Sequence, residues 1–175
     1  MVSSGTSDTN FRLGIIAGSG SLPKIVCQTA ARRGVETTAI TFHKETTQNL
    51  KDLADVTQIG IGEAGKVIKR FKDAGVKKIC LIGKIEKSLV FKNPKLYAYT
   101  LKVLMKRAFN KSDSALMLII IEELEKVGFE VVKQTDWLPD LLPTKGILGK
   151  VRPDEDIQSD FEFGMDICRK TAGMD

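Results

Sequence analysis

Histidine occurs once, at His43, and cysteine three times, at Cys27, Cys80 and Cys168, with no C-x-x-C spacing. A thiolate or imidazole metal centre needs several such ligands at short spacing, so these residues argue against one. The odd, wide cysteine spacing also leaves no disulfide framework; it is the usage of buried thiols in a reducing compartment. The sequence offers no serine–histidine–acid set and no close pair of carboxylates with a clear division of labour. Long apolar runs are missing too. The longest, residues 115–121, is far below the ~20 residues that a membrane-spanning helix needs. The opening MVSSGTSDTN has neither a basic start nor an apolar centre, so it is no secretory signal and reads as a disordered tail over residues 1–10. Neither an internal repeat nor a low-complexity stretch occurs. These absences predict a soluble, cytoplasmic chain.

What is there suits one compact domain with a real core. The chain has 175 residues, 42% hydrophobic and 28% charged, the balance of an ordinary globule. Lys and Arg exceed Asp and Glu by 27 to 22, a mild excess that favours anionic ligands or surfaces.

One stretch organises the rest. Leu13-Gly14-Ile15-Ile16-Ala17 is too short for a helix and rich in branched residues, as a buried strand is. It runs into Gly18-Ser19-Gly20-Ser21, and Pro23 then opens a helix over residues 23–33, where its missing N–H has no partner to lose. Strand, glycine turn and helix start together make an anion site, with turn N–H groups and the positive end of the helix dipole aimed at the guest. A phosphate or diphosphate is the natural guest. The turn reads G-x-G-x-x-P, lacking the third glycine of the dinucleotide fingerprint. An NAD site also wants an acid at the end of the second strand, and that strand ends Thr41-Phe42-His43. NAD is therefore disfavoured. The plainer alternative is a tight turn that serves packing alone.

Further along, strands are expected at 36–42, 56–61, 78–82 and 129–132, with helices at 46–54, about 64–74, 94–110 and 113–127. The third strand leads into Gly60-Ile61-Gly62-Glu63-Ala64-Gly65-Lys66, a second glycine-rich opening of a helix, and the fourth leaves through Gly83-Lys84. Three strands thus end in glycine on what should be one end of a parallel sheet, where ligands of open α/β sheets sit. The fold class is α/β, a Rossmann-like three-layer sandwich with a mainly parallel sheet.

On the 94–110 helix Lys95, Lys102 and Lys106 share a face with Tyr99 between them, read here as a solvated face. No basic–aromatic interleaving recurs elsewhere, so nucleic acid is not an expected partner. Ser112 suits an N-cap and Asp113 the positive end of the helix that follows. Residues 134–139 read as a loop at the ligand end of the sheet, with Asp136 either a contact or a turn cap. Residues 141–151 are irregular. A last helix starts near Asp154, with Ile157, Phe161, Met165 and Cys168 on one stripe.

Several segments resemble the LpxI family, the UDP-2,3-diacylglucosamine pyrophosphatases of lipid A biosynthesis. They are LGIIAGSGSLP at 13–23, IGIGEAGKVIK at 59–69, the loop around Gly83, SDSALM at 112–117, EELEKVGFEVV at 122–132 and LGKVRPDED at 148–156. The resemblance implies magnesium-dependent attack of water on a UDP-sugar diphosphate, giving UMP and 2,3-diacylglucosamine 1-phosphate. It covers the N-terminal domain of that family only, as a Rossmann-like domain over 11–150 and a helix over 151–175 leading to a second domain. That second domain carries the catalytic aspartate and is expected to be missing here. Magnesium is expected for the full-length enzyme and not for this domain alone.

Two positions depart from the family pattern: Ser114 where a second acid stands, and Lys84 where a small or amide residue follows the glycine. Resemblance and turn geometry together nominate Gly18, Ser19, Gly20 and Ser21 as ligand-facing backbone, with Gly62, Glu63, Gly83 and Asp113 behind them. No catalytic residue is nominated. The expected partners are the UDP-sugar lipid and the catalytic domain, with a homodimer and peripheral contact with the inner membrane open to such an enzyme. The alternative function is a stand-alone phosphate- or nucleotide-binding module without catalysis.

Overall fold

In the computed structural model, residues 11–61, 63–84 and 113–172 are described, with side chains omitted at 113–116 and 119. Runs of branched and apolar residues form the strands β1 (Leu13–Ala17), β2 (Thr37–Thr41) and β4 (Lys78–Ile82). Two lesser strands flank them, β3 (Asp55–Gln58) and β5 (Glu130–Val131). Every pairing is parallel, in the order β3-β2-β1-β4-β5. That order is the doubly wound one. Ala17 lies opposite both Thr41 and Ile82, so the three central strands finish level with one another.

Helices α1 (Leu22–Arg32), α2 (Lys44–Leu50), α3 (Ala64–Asp73) and α4 (Asp113–Lys126) connect the strands. Side chains alternate between the two faces of each strand, and each face meets its own helices. Leu13, Ile15 and Ala17 pack with Val26, Cys27 and Ala30 of α1 and Leu50 of α2. On the other face Ile16, Ile40 and Leu81 pack with Val67 and Phe71 of α3 and Leu124 of α4. Burying a side chain such as Phe71 contributes about 2–3 kcal/mol. Three layers result, as the residue pattern predicts.

One closing device recurs. A glycine ends each of α1, α3 and α4, and the apolar residue after it sends its N–H back into the helix: Val35 to the Ala30 carbonyl (2.9 Å), Val76 to Phe71 (2.9 Å), Phe129 to Leu124 (3.1 Å). Val35, Val76 and Phe129 are all buried, so each closure also docks the next strand.

Some boundaries differ from those expected. The second helix is α2 at Lys44–Leu50, not 46–54, because His43 is extended and its carbonyl accepts the Thr47 N–H at 3.0 Å. Leu53 and Ala54 instead turn back onto the Leu50 carbonyl, delivering the chain to β3. The last strand pairs only with Lys78 and Ile79, so the chain leaves the sheet near its amino end.

That early departure overturns the expected place of residues 134–139. They form short 3-10 turns, Gln134–Trp137 and Pro139–Leu141, beside the start of β1 and the end of α1. Arg33 donates to the Asp136 carbonyl (2.8 Å) and lies over the Trp137 ring (5.1 Å), and Phe11 meets Trp137 edge-on (6.4 Å). Arg32 pairs with Asp140 at 2.9 Å. Asp136 therefore sits toward the amino end of the sheet, away from the ligand end.

The chain divides into two compact units, one through Asp140 and one from Leu141. In the second, Asp154 caps α5 (Glu155–Thr171) by accepting the Ile157 N–H at 2.9 Å, and Arg169 and Lys170 occupy its last turn. No residue of α5 is buried. Cys168 is exposed for that reason, against the expectation of three buried thiols, while Cys27 and Cys80 are buried. The readings for residues 1–10, Gly62, Lys95, Tyr99, Lys102, Lys106 and Ser112 lie outside the described residues.

Candidate functional site

The carboxyl end of β1 is tied to that of β4 chiefly through backbone. Gly18 donates its N–H to the Ile82 carbonyl (2.8 Å), while Ser19 and Lys84 exchange N–H···O bonds of 2.8 and 2.9 Å. Ser19 Oγ adds a bond to the same Lys84 carbonyl at 3.0 Å. The approach is so close that a Cβ on Gly18 would stand 2.6 Å from the Lys84 oxygen. One on Gly83, whose φ is +93°, would stand 2.9 Å from Gly18 carbon and Ser19 oxygen. Both glycines are required by this contact. In a doubly wound sheet the gap between these two strands is the usual ligand crevice, and here a backbone bridge crosses it.

Of the four turn residues nominated from sequence, two thus have their N–H groups committed. The rest of the turn differs. Gly20 has φ +103° and nothing within 4 Å of where its Cβ would be. Among the described residues, the N–H groups of Gly20, Ser21 and Leu22 have no backbone acceptor, and the Ser21 side chain makes no capping bond. These donors open α1, whose positive end they share. Anion-binding capacity therefore sits at residues 20–22, one step beyond the glycine that begins the turn.

Beside it lies a cavity of about 430 Å³. Ser19, Gly20, Ser21 and Lys24 form one wall, and His43, Glu45, Thr46 and Asn49 form the other, with Pro23 and Leu50 at the apolar base. The second wall exists because α2 starts immediately after β2. Thr46 Oγ1 reaches back to the Gly18 carbonyl at 3.5 Å, and the Thr41 and Thr47 hydroxyls meet at 2.6 Å. His43 Nε2 is shut from solvent and has no hydrogen-bond partner. None of these four residues was singled out as a site from sequence, although their place just past the second strand was the available signal.

Glu63 is engaged elsewhere. Its carboxylate accepts the Gly60 N–H (3.1 Å) and pairs with Lys66, while its own N–H returns to the Gly60 carbonyl at 2.9 Å. The Lys66 bond first, then the Gly60 N–H, holds the Glu63 carboxyl below its ordinary range. This loop follows β3, two strands from β1, or about 10 Å away at the usual strand spacing. Asp113 begins α4, and Gly83 belongs to the bridge.

No group of three or more His, Cys, Asp or Glu side chains converges to hold a metal among the described residues. Burial pushes the Cys27 thiol up to about 11 and that of Cys80 to about 12, which leaves both unreactive at neutral pH. Among the described residues no helix is long and apolar enough to cross a membrane.

Comparison with known proteins gives the following. The family model described as the LpxI N-terminal domain matches residues 12–141. The UDP-2,3-diacylglucosamine pyrophosphatase LpxI of Caulobacter vibrioides is 29% identical over 166 residues, covering 94% of this chain and 59% of that protein. The chain thus spans about three fifths of its relative's length. Among solved structures, the biotin carboxylase domain of a thermophilic 2-oxoglutarate carboxylase bound to ADP matches 53% of this chain and 21% of its own, at 17% identity and a TM-score of 0.35. The corresponding domain from Hydrogenobacter thermophilus, with MgADP, ADP and bicarbonate, matches the same shares at 18% identity and a TM-score of 0.34. Likenesses so slight carry no argument about this chain.

Proposed function

Because the chain belongs to the LpxI N-terminal domain family, we propose that it is the substrate-binding half of a UDP-2,3-diacylglucosamine pyrophosphatase. The reaction adds water across the diphosphate of the UDP-sugar, releasing UMP and 2,3-diacylglucosamine 1-phosphate. One observation carries the reading: Gly20 and Ser21, whose N–H groups have no backbone acceptor among the described residues, line the 430 Å³ cavity at the carboxyl end of the sheet. Backbone donors at a helix start suit a phosphate oxygen, and Lys24 on the same wall adds a positive charge.

In this reading the chain binds and orients, and a catalytic domain supplies the hydrolysis. Among the described residues no group of three or more His, Cys, Asp or Glu side chains gathers to hold a metal. In this reading magnesium belongs with the catalytic part.

The test is a titration of UMP and of UDP-2,3-diacylglucosamine into the 175-residue chain, followed by an assay for UMP release with magnesium present. Binding of both without release is the expected result. Release by the chain alone would place the chemistry among residues read here as structural. Binding of UMP without the lipid-linked sugar would favour a nucleotide-binding module, and binding of neither would overturn the reading.

A further inference from the structure

Helix α5 carries an apolar stripe that nothing in its own unit covers. Ile157, Phe161, Gly164, Met165 and Cys168 recur at spacings of three and four, which puts them on one side of the helix. None is buried, and Phe161 keeps 61% of its surface exposed. A helix in a folded protein draws most of its stability from packing such a face, so the stripe calls for an occupant.

The charge along the helix selects that occupant. Residues 154–168 hold six acids and no base, and Arg169 and Lys170 follow in the last turn. Lys170 is engaged within the helix by Asp166 at 2.6 Å. Arg169 has no partner among the described residues. It borders the stripe beside Met165, four residues on, and Glu162 borders it on the same side, three residues before. An anionic membrane surface would repel so acidic a helix, and a parallel copy would set acid against acid. A second copy running antiparallel sets the basic end against the acidic one, twice by symmetry.

We infer that this stripe is the face on which two copies of the chain associate, α5 packing antiparallel against α5 of the second copy about a two-fold axis. With Gly164 set against Met165 of the second copy, Phe161 meets Cys168, Ile157 meets Ala172 and Arg169 comes beside Glu162. Gly164 has open space where a Cβ would stand, so the two helix axes can approach closely there. The inference holds whatever ligand the first unit binds.

The experiment is sedimentation equilibrium of the 175-residue chain across micromolar concentrations in reductant, repeated on variants. The unaltered chain should associate to dimers. Phe161→Asp should weaken the dimer about a hundredfold, because each copy loses a buried ring. Phe163→Asp, at a residue just as exposed but on the opposite side of the helix, should leave it unchanged. Arg169→Glu should weaken it about tenfold, and adding Glu162→Arg to Arg169→Glu should restore it. All these residues are exposed, so the variants keep the fold. Cys168 reports the direction, being exposed while Cys27 and Cys80 are buried. An antiparallel pair holds the two Cys168 thiols about 10 Å apart along the axis, so mild oxidation should leave the dimer without a cross-link. A disulfide-linked dimer would make the pair parallel and overturn the inference. Equal losses in Phe161→Asp and Phe163→Asp, or no recovery in the double variant, would overturn it as well. A chain monomeric at every concentration would assign the stripe to a different partner and overturn it too.

Discussion

Two glycine-rich segments open helices in this protein, and they look alike as strings: Gly18-Ser19-Gly20-Ser21 before α1, and Gly60-Ile61-Gly62-Glu63 before α3. The first is held from a distance, by the chain leaving β4, and among the described residues the N–H groups of its last residues have no backbone acceptor. The second is held from within, by a glutamate that accepts the loop's own N–H and pairs with Lys66 in the next turn. Both segments leave N–H groups without a backbone acceptor among the described residues, Gly20, Ser21 and Leu22 in the first and Ala64 and Gly65 in the second. What differs is the anchor: a distant strand exit for the proposed binding turn, and a glutamate of its own for the other.

Substitutions should separate the two segments sharply. Gly83→Ala sets a Cβ against backbone atoms at 2.9 Å and at positive φ, so a loss of about 3 kcal/mol is expected, a fall in melting temperature of roughly 6–12 °C. A melt unchanged within a degree would break the claim that the β1–β4 bridge needs this glycine. Gly20→Ala meets open space and strains only the backbone, for about 1–2 kcal/mol, but it should weaken UMP binding by at least tenfold in a calorimetric titration. In the second segment, Gly65 lies inside α3 with nothing near its Cβ position. Gly65→Ala should therefore raise stability by about 0.5–1 kcal/mol and leave UMP affinity alone. An affinity loss there would make the second segment part of the site.

The smallest effect is electrostatic and local. Glu63 keeps its carboxylate more readily when folded than unfolded, so its contribution is present above its ordinary value of 4.5 and is lost as pH falls through the lowered folded value. Followed by NMR, the Gly60 amide should report a midpoint below 4.5, and Lys66→Ala should move that midpoint upward. A midpoint indifferent to Lys66 would remove the ion pair from the account of the loop.

Much of the fold was legible because its rules are local. Gly34-Val35, Gly75-Val76 and Gly128-Phe129 announce helix ends followed by buried residues, and the structure closes all three helices in one way. The position of Asp136 was not legible, because it depends on β5 being only two residues long. With the chain leaving so early, Arg33 and Phe11 capture Asp136 and Trp137 at the amino end of the sheet. The second cavity wall was missed for a related reason. Glu45 and Asn49 read as ordinary polar helix residues until α2 is seen to start at Lys44, against the glycine turn.

By itself the sequence determined the parallel α/β architecture, the glycine turn at the end of its first strand and the likeness to one enzyme family. Those rest on period, branching, glycine and proline, which act over a few residues. Only the tertiary structure decided which turn donors are free, which crevice is open and which side chains face it. The decisive bonds join Ser19 to Lys84, 65 residues apart, and no local pattern specifies a contact made across that span.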